Sequence, residues 1–129
     1  MSKVGIVSII DDEAAVRDAI RDLVSSFGFI AFSFESAEDF LRSPQADETY
    51  CVICDVQMPG MKGYEVQRRL LAKGRRVPII LITAFPERCS RERIEAAGAL
   101  ALLEKPVDGK VLVALLQDAL ASMGEGAPE

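Results

Sequence analysis

Five short apolar runs, 4–10, 29–34, 51–55, 78–82 and 99–103, alternate along the chain with stretches whose apolar residues recur at helical spacing. Val16, Ile20, Leu23, Val24 and Phe27 predict an amphipathic first helix stopped by Gly28. Ser36 to Leu41 predicts a short capped helix, and a polar connector, Ser43 to Glu48, leads to the third run. Val66, Leu70 and Leu71 mark a third helix closed by Lys73-Gly74. A weakly amphipathic fourth helix is expected from Ser90 to Ala97, ahead of Gly98. A fifth begins near Asp108 and is expected to bury Val111, Leu112, Leu115, Leu116, Ala119 and Leu120.

Strand then helix, five times over and without an internal repeat, calls for right-handed βαβ crossovers. The expected fold is a single α/β domain, a doubly wound five-stranded parallel sheet with helices on both faces. The flavodoxin-like strand order 2-1-3-4-5 is the common solution, with a crevice between the ends of strands 1 and 3. With 129 residues there is room for one such domain and its core, not for two. Residues 1–122 are expected to form it, and 123–129, with its Gly and Pro, to be a flexible tail or the start of a linker.

No apolar run approaches the roughly 20 residues of a bilayer span, and the N-terminus has no signal-peptide pattern, so a cytoplasmic location is expected, with no membrane contact. A formal charge of −5 argues against a direct grip on nucleic acid and for protein and cation partners. Cys51 and Cys54 have C-x-x-C spacing, but in a strand an offset of three residues points side chains to opposite faces. With one further cysteine, Cys89, and no His in the chain, buried free thiols are expected rather than a zinc or redox site.

The strand ends carry the chemistry. The third run stops at Asp55 and meets Pro59-Gly60, so Asp55 is expected to sit exposed at a strand's C-terminal edge, where open α/β sheets bind their ligands. The first run stops at Asp11-Asp12-Glu13. Carboxylates converging there repel by about 4 kcal/mol per pair at ~4 Å and an effective dielectric near ~20, so one must take up a proton or a cation must intervene. Mg²⁺ suits a few oxygen ligands with retained waters. The expected set is Asp12 and Asp55 directly, Asp11 through water, and the backbone carbonyl of Gln57. Strands 4 and 5 deliver Thr83 and Lys105 to the same edge. A metal, a carboxylate nucleophile, a hydroxyl and a lysine together equip a site to hold a phosphoryl group while Asp55 attacks phosphorus. Taken singly, Asp11-Asp12-Glu13 complements a helix dipole, Thr83 is a turn residue and Lys105 is a surface charge.

Asp11-Asp12, Asp55-x-x-Met58-Pro59-Gly60-x-x-Gly63, Thr83-Ala84 and Lys105-Pro106 resemble, in order and spacing over nearly the whole chain, the receiver domain of bacterial two-component response regulators. Val7 to Glu13 and Ser36 to Leu41 are more specifically similar to the FixJ-like subgroup. The resemblance implies a phosphorelay protein in which Asp55 accepts a phosphoryl group from a sensor histidine kinase or phosphotransfer protein with Mg²⁺. Thr83 and Lys105 would bind the phosphoryl oxygens, and the Lys105-Pro106 peptide would be cis. It implies no turnover beyond the domain's own phosphoryl transfer and autodephosphorylation. A homodimer or output partner would use the fourth helix, fifth strand and fifth helix, where Val107 and Val113 either add apolar surface or simply pack. The missing His fits a phosphohistidine donor on another protein.

One position departs from the family pattern. Leu102 stands where the resemblance calls for Tyr or Phe, so the route of signalling is expected to run through Thr83, the following loop and the fourth helix. Phe85, two residues past Thr83, either shields the acyl phosphate or turns away into a neighbouring contact. The rival readings are a receiver that binds partners without phosphorylation, a haloacid-dehalogenase-type phosphatase and a flavodoxin. The phosphatase needs Asp-x-Asp where this chain has Asp55-Val56-Gln57, and the flavodoxin needs a phosphate cradle where this chain has three acids.

Overall fold

The computed structural model describes residues 5–56, 63–96 and 98–125. Its elements are β1 (Ile6–Ile10), α1 (Ala14–Ser26), β2 (Ile30–Phe34), α2 (Ala37–Arg42), β3 (Cys51–Asp55), α3 (Gly63–Ala72), β4 (Ile79–Thr83), α4 (Arg91–Ala96), β5 (Ala101–Glu104) and α5 (Gly109–Glu125). Short 3-10 turns at Pro44–Asp47 and Pro86–Arg88 lie in the connections before β3 and before α4. The strands form one parallel sheet in the order β2-β1-β3-β4-β5, as the alternation of runs predicts.

Each central strand divides its side chains between two cores, the consequence of period-two alternation in a sheet covered on both faces. Val7 and Ile9, Cys51 and Ile53, and Ile80 and Ile82 pack with Ile20 and Val24 of α1 and Leu112 and Leu116 of α5. Ile10, Val52, Cys54, Ile79 and Leu81 pack with Phe40 of α2 and Val66 and Leu70 of α3. Helix ends follow local chemistry: Ser36 Oγ accepts the Asp39 N–H at the start of α2, and Gly28 and Gly74, both at positive φ, turn the chain after α1 and α3.

Three positions of the expected apolar stripes are outside. Phe27, Leu71 and Val111 are all exposed. On α3 the buried positions Val66, Gln67 and Leu70 define the stripe, and Gln67 holds its place by donating from Nε2 to the Val77 carbonyl at 2.8 Å. On α5 the stripe is Leu112, Leu116 and Ala119, with Val113 beside it. Val113 is buried and Val107 packs against the α1–α5 core, so these two valines are packing residues.

Cys51 and Cys54 lie on opposite faces of β3, one in each core, and both are free and buried. Burial pushes the Cys51 thiol from 9.0 up to about 12, against a small opposing effect of its contact with the Val52 carbonyl. Burial, with the charges of Asp55 and Asp11, raises Cys54 as well. The folded chain therefore keeps protons that the unfolded chain releases above its thiol pKa of 9.0. By linkage this contribution to stability is complete below that pH and declines as pH rises through it. In a thiol-reagent assay at about pH 8, the half-buried Cys89 should react in the native protein while Cys51 and Cys54 wait for denaturant. Rapid native labelling of Cys51 would contradict the packing described here.

Candidate functional site

The register of the sheet brings the acidic residues together. Ile10 of β1 pairs with Cys54 of β3, so Asp11 and Asp55 are the next residues along two adjacent strands. Asp55 itself pairs with Ile82, and Thr83 pairs with Glu104. That places Lys105 one step past the end of β5, where its N–H donates to the Thr83 carbonyl at 2.8 Å. The Lys105-Pro106 peptide is cis. One carboxylate oxygen from each of Asp11, Asp12 and Asp55 lies within 4.8 Å of the others.

Lys105 reaches into this cluster. Its Nζ lies 2.9 Å from Asp11 Oδ2, 3.0 Å from Asp55 Oδ2 and 3.3 Å from Glu13 Oε1. An ammonium has three protons, and here three carboxylates surround it. Burial pulls its pKa down, but the contacts and charge of Asp11 and Asp55 outweigh that and hold it above the usual lysine range. The ammonium thus supplies the positive charge that the converging acids require, and the choice between a proton and an external cation is not forced on this state. Its partner Asp55 is 4% exposed rather than exposed as its position after an apolar run and before a turn suggests. Nor is Lys105 a solvated surface charge, its side chain being 12% exposed.

Asp11 is fully buried and anchored at both ends of its side chain. Oδ1 accepts the Glu13 N–H at 2.9 Å. Oδ2 makes the ion pair with Lys105 but accepts no aligned hydrogen bond. Asp12 stands at the crevice mouth, exposed. Three all-oxygen donors within 4.8 Å, one with a buried oxygen lacking a hydrogen bond, fit a hard divalent cation. Gln57, the expected source of a carbonyl ligand, lies outside the described residues.

Thr83 is buried at the end of β4, and its Oγ1 accepts the Phe85 N–H at 2.9 Å. The Phe85 ring is exposed, with the Arg88 guanidinium 4.4 Å from its centroid, so of its two expected orientations it takes the one with a neighbouring contact. Leu102 pairs with Leu81 and is half-buried against the α2–α3 core. It lines an open depression of about 410 Å³ with Cys89, Ile94, Glu95, Leu100 and others between α4 and β5.

Glu13 and Arg17 were not legible as site residues. Glu13 reads as a helix-dipole residue, yet it meets Lys105 across 92 positions of sequence. Arg17 reads as the polar side of α1, yet its Nη1 donates to the Asp11 carbonyl at 2.8 Å. Glu13 meets Lys105 because the parallel sheet brings the ends of β1 and β5 to one edge, and Arg17 reaches back six residues to the turn that precedes α1.

A parallel sheet of this order, with acids at the ends of β1 and β3, a hydroxyl at β4 and a lysine after β5, defines a receiver-type architecture. The sequence matches the response regulator receiver domain family over residues 7–117, and the chain belongs to that family. It is 33% identical to the transcriptional regulatory protein FixJ of Bradyrhizobium diazoefficiens over 93% of this chain and 58% of that protein. It is 34% identical to the transcriptional regulatory protein TdiR of Thauera aromatica over 89% of this chain and 51% of that one. The chain thus spans about half the length of these relatives. Among solved structures, the response regulator StyR superposes with a TM-score of 0.85 at 32% identity, over 95% of this chain and 62% of that one. A receiver protein from Burkholderia phymatum superposes with a TM-score of 0.78 at 42% identity, over 91% and 95%. Among the described residues, no helix is long and apolar enough to cross a membrane.

Proposed function

We propose that this domain, residues 1–122, is a phosphorylation switch in which Asp55 takes a phosphoryl group from the phosphohistidine of a sensor kinase or phosphotransfer protein. A carboxylate oxygen of Asp55 attacks phosphorus, the P–N bond of the donor breaks, and the donor imidazole leaves with the electron pair. The observation that carries this reading is the convergence of Asp11, Asp12 and Asp55 within 4.8 Å of one another, with the ammonium of Lys105 on Asp11 and Asp55. Asp11, Asp12 and Asp55 would hold Mg²⁺, with the Gln57 carbonyl as a further ligand. When bound, the ion supplies charge for the phosphoryl oxygens. Lys105 offers a cation to those oxygens, and Thr83 offers a hydroxyl at the neighbouring strand end. The domain would act in the cytoplasm, where such donors operate. Intact mass after exposure to acetyl phosphate, with and without Mg²⁺, tests the reading.

Output is proposed to leave through α4, β5 and α5. The depression at Leu102 and the exposed Leu100 and Val111 lie in these elements or beside them and would suit a second copy or an output partner. The route from the site runs from Thr83 through the loop to α4, since Leu102 has neither ring nor hydroxyl to reorient. Leu102→Ala should therefore preserve the change in partner affinity on phosphorylation, while costing about 2 kcal/mol of stability, the low end for a leucine because it is half-buried. Loss of the affinity change in a folded Leu102→Ala protein would place this residue in the relay.

A further inference from the structure

We infer that Arg17 is a positioning residue for the acidic pair, and that it sets the affinity of the crevice for a divalent cation. The inference rests on the Mg²⁺ reading above.

The Asp11 N–H donates to the Phe34 carbonyl at 3.2 Å, which extends the β1–β2 ladder one step past Ile10. In a parallel ladder the Asp11 carbonyl would next accept from the N–H two residues beyond Phe34, that of Ser36. β2 has ended by then, and Ser36 is the N-cap of α2. Asp11 is fully buried, so its carbonyl needs a donor from elsewhere. Arg17, in the first turns of α1, provides one from Nη1 at 2.8 Å. The α1 helix is thereby stapled to the last backbone group before Asp12.

The consequence concerns Asp12. Among the described residues its carboxylate has no hydrogen bond, and its place near Asp11 and Asp55 is set by the backbone of the turn. That turn is held by the Asp11 side chain on the Glu13 N–H, by Arg17 on the Asp11 carbonyl, and by the first helical bond from the Arg17 N–H to the Glu13 carbonyl. Without the guanidinium, the buried carbonyl loses its donor and the peptide between Asp11 and Asp12 is free to rotate. The carboxylates then converge less often.

The sign of the effect separates this role from that of a bystander charge. A positive group near a cation site repels the cation, so a purely electrostatic Arg17 weakens binding, and its removal strengthens it. A positioning Arg17 does the opposite. The test is calorimetric titration of MgCl₂ into the full chain as wild type, Arg17→Met and Arg17→Lys, with folding checked by urea unfolding in chelator. The expected result is about 10-fold weaker binding in Arg17→Met, the usual size for a residue that orients a metal ligand, and recovery of most of it in Arg17→Lys, whose ammonium donates to the same carbonyl. Should Arg17→Met not fold, Arg17→Gln, which keeps an N–H donor without the charge, replaces it and is expected to bind no more tightly than wild type. Equal or tighter binding in the methionine variant, tighter binding in the glutamine variant, or a lysine variant as weak as methionine, would overturn the inference. A wild type that binds no Mg²⁺ would overturn the metal reading and this inference with it.

Discussion

Asp55→Asn should end phosphoryl uptake while leaving the fold in place. Wild-type protein exposed to acetyl phosphate with Mg²⁺ is expected to gain the mass of one phosphoryl group, and the variant none. An amide differs from a carboxylate by little in volume, so the two cores flanking β3, which involve Cys51 to Cys54, keep their packing. What changes is chemical. The amide has no nucleophilic oxygen of comparable strength, and it turns one of the three negative partners of Lys105 Nζ into a neutral one. The ammonium keeps Asp11 and Glu13, and Asp11 loses a repelling neighbour. Those two effects oppose each other, so stability should move by no more than about 1 kcal/mol. An adduct formed by Asp55→Asn at the wild-type rate would place the acceptor elsewhere. A folded wild type with no adduct in Mg²⁺ would favour a module that binds partners without phosphorylation.

Legibility of the fold came from the strands and failed at the helix surfaces. Runs as apolar as Ile79–Ile82 are compatible with a central parallel strand covered on both faces, and there they lie, all buried. Helices are harder because apolar content alone does not give the angle of the buried stripe. Leu71 lies about 100° around the helix from Leu70, and the core side is completed by Gln67, a polar residue that reads as solvent-facing until its bond to Val77 is seen. The site divides the same way. Strand ends reveal Asp11, Asp55, Thr83 and Lys105 because the fold brings all C-terminal edges to one side. The state of those residues was not legible: Asp55 is buried and paired with Lys105, 50 positions away in sequence. Glu13 belongs to the same class, its partner Lys105 being brought in by the order of the sheet and not by neighbours in sequence.

Lys105→Met separates two tasks that one ammonium performs. In the cation-free protein, removal leaves Asp11, fully buried, and Asp55, 5% exposed in its side chain, facing each other without a counter-charge. Breaking a buried ion pair by removing one partner costs about 3–5 kcal/mol, and the low end applies because Asp12 and Glu13 open this crevice to water. Mg²⁺ should bind the variant more tightly than wild type, since no ammonium has to be displaced from Asp11 Oδ2. The urea midpoint should therefore rise more on adding Mg²⁺ in the variant than in wild type. Phosphoryl uptake should nevertheless fall by about 10²-fold, because the phosphoryl oxygens lose a pre-placed cation. If uptake by the Mg²⁺-saturated variant matched wild type, Lys105 would be a structural ion-pair partner and no more. The pH dependence has a fixed sign. The folded pKa of Lys105 is held above its unfolded value of 10.5, so its contribution is complete below that pH and is lost only as pH rises through the folded value. The titration of Lys105 itself therefore adds no slope to stability near neutrality.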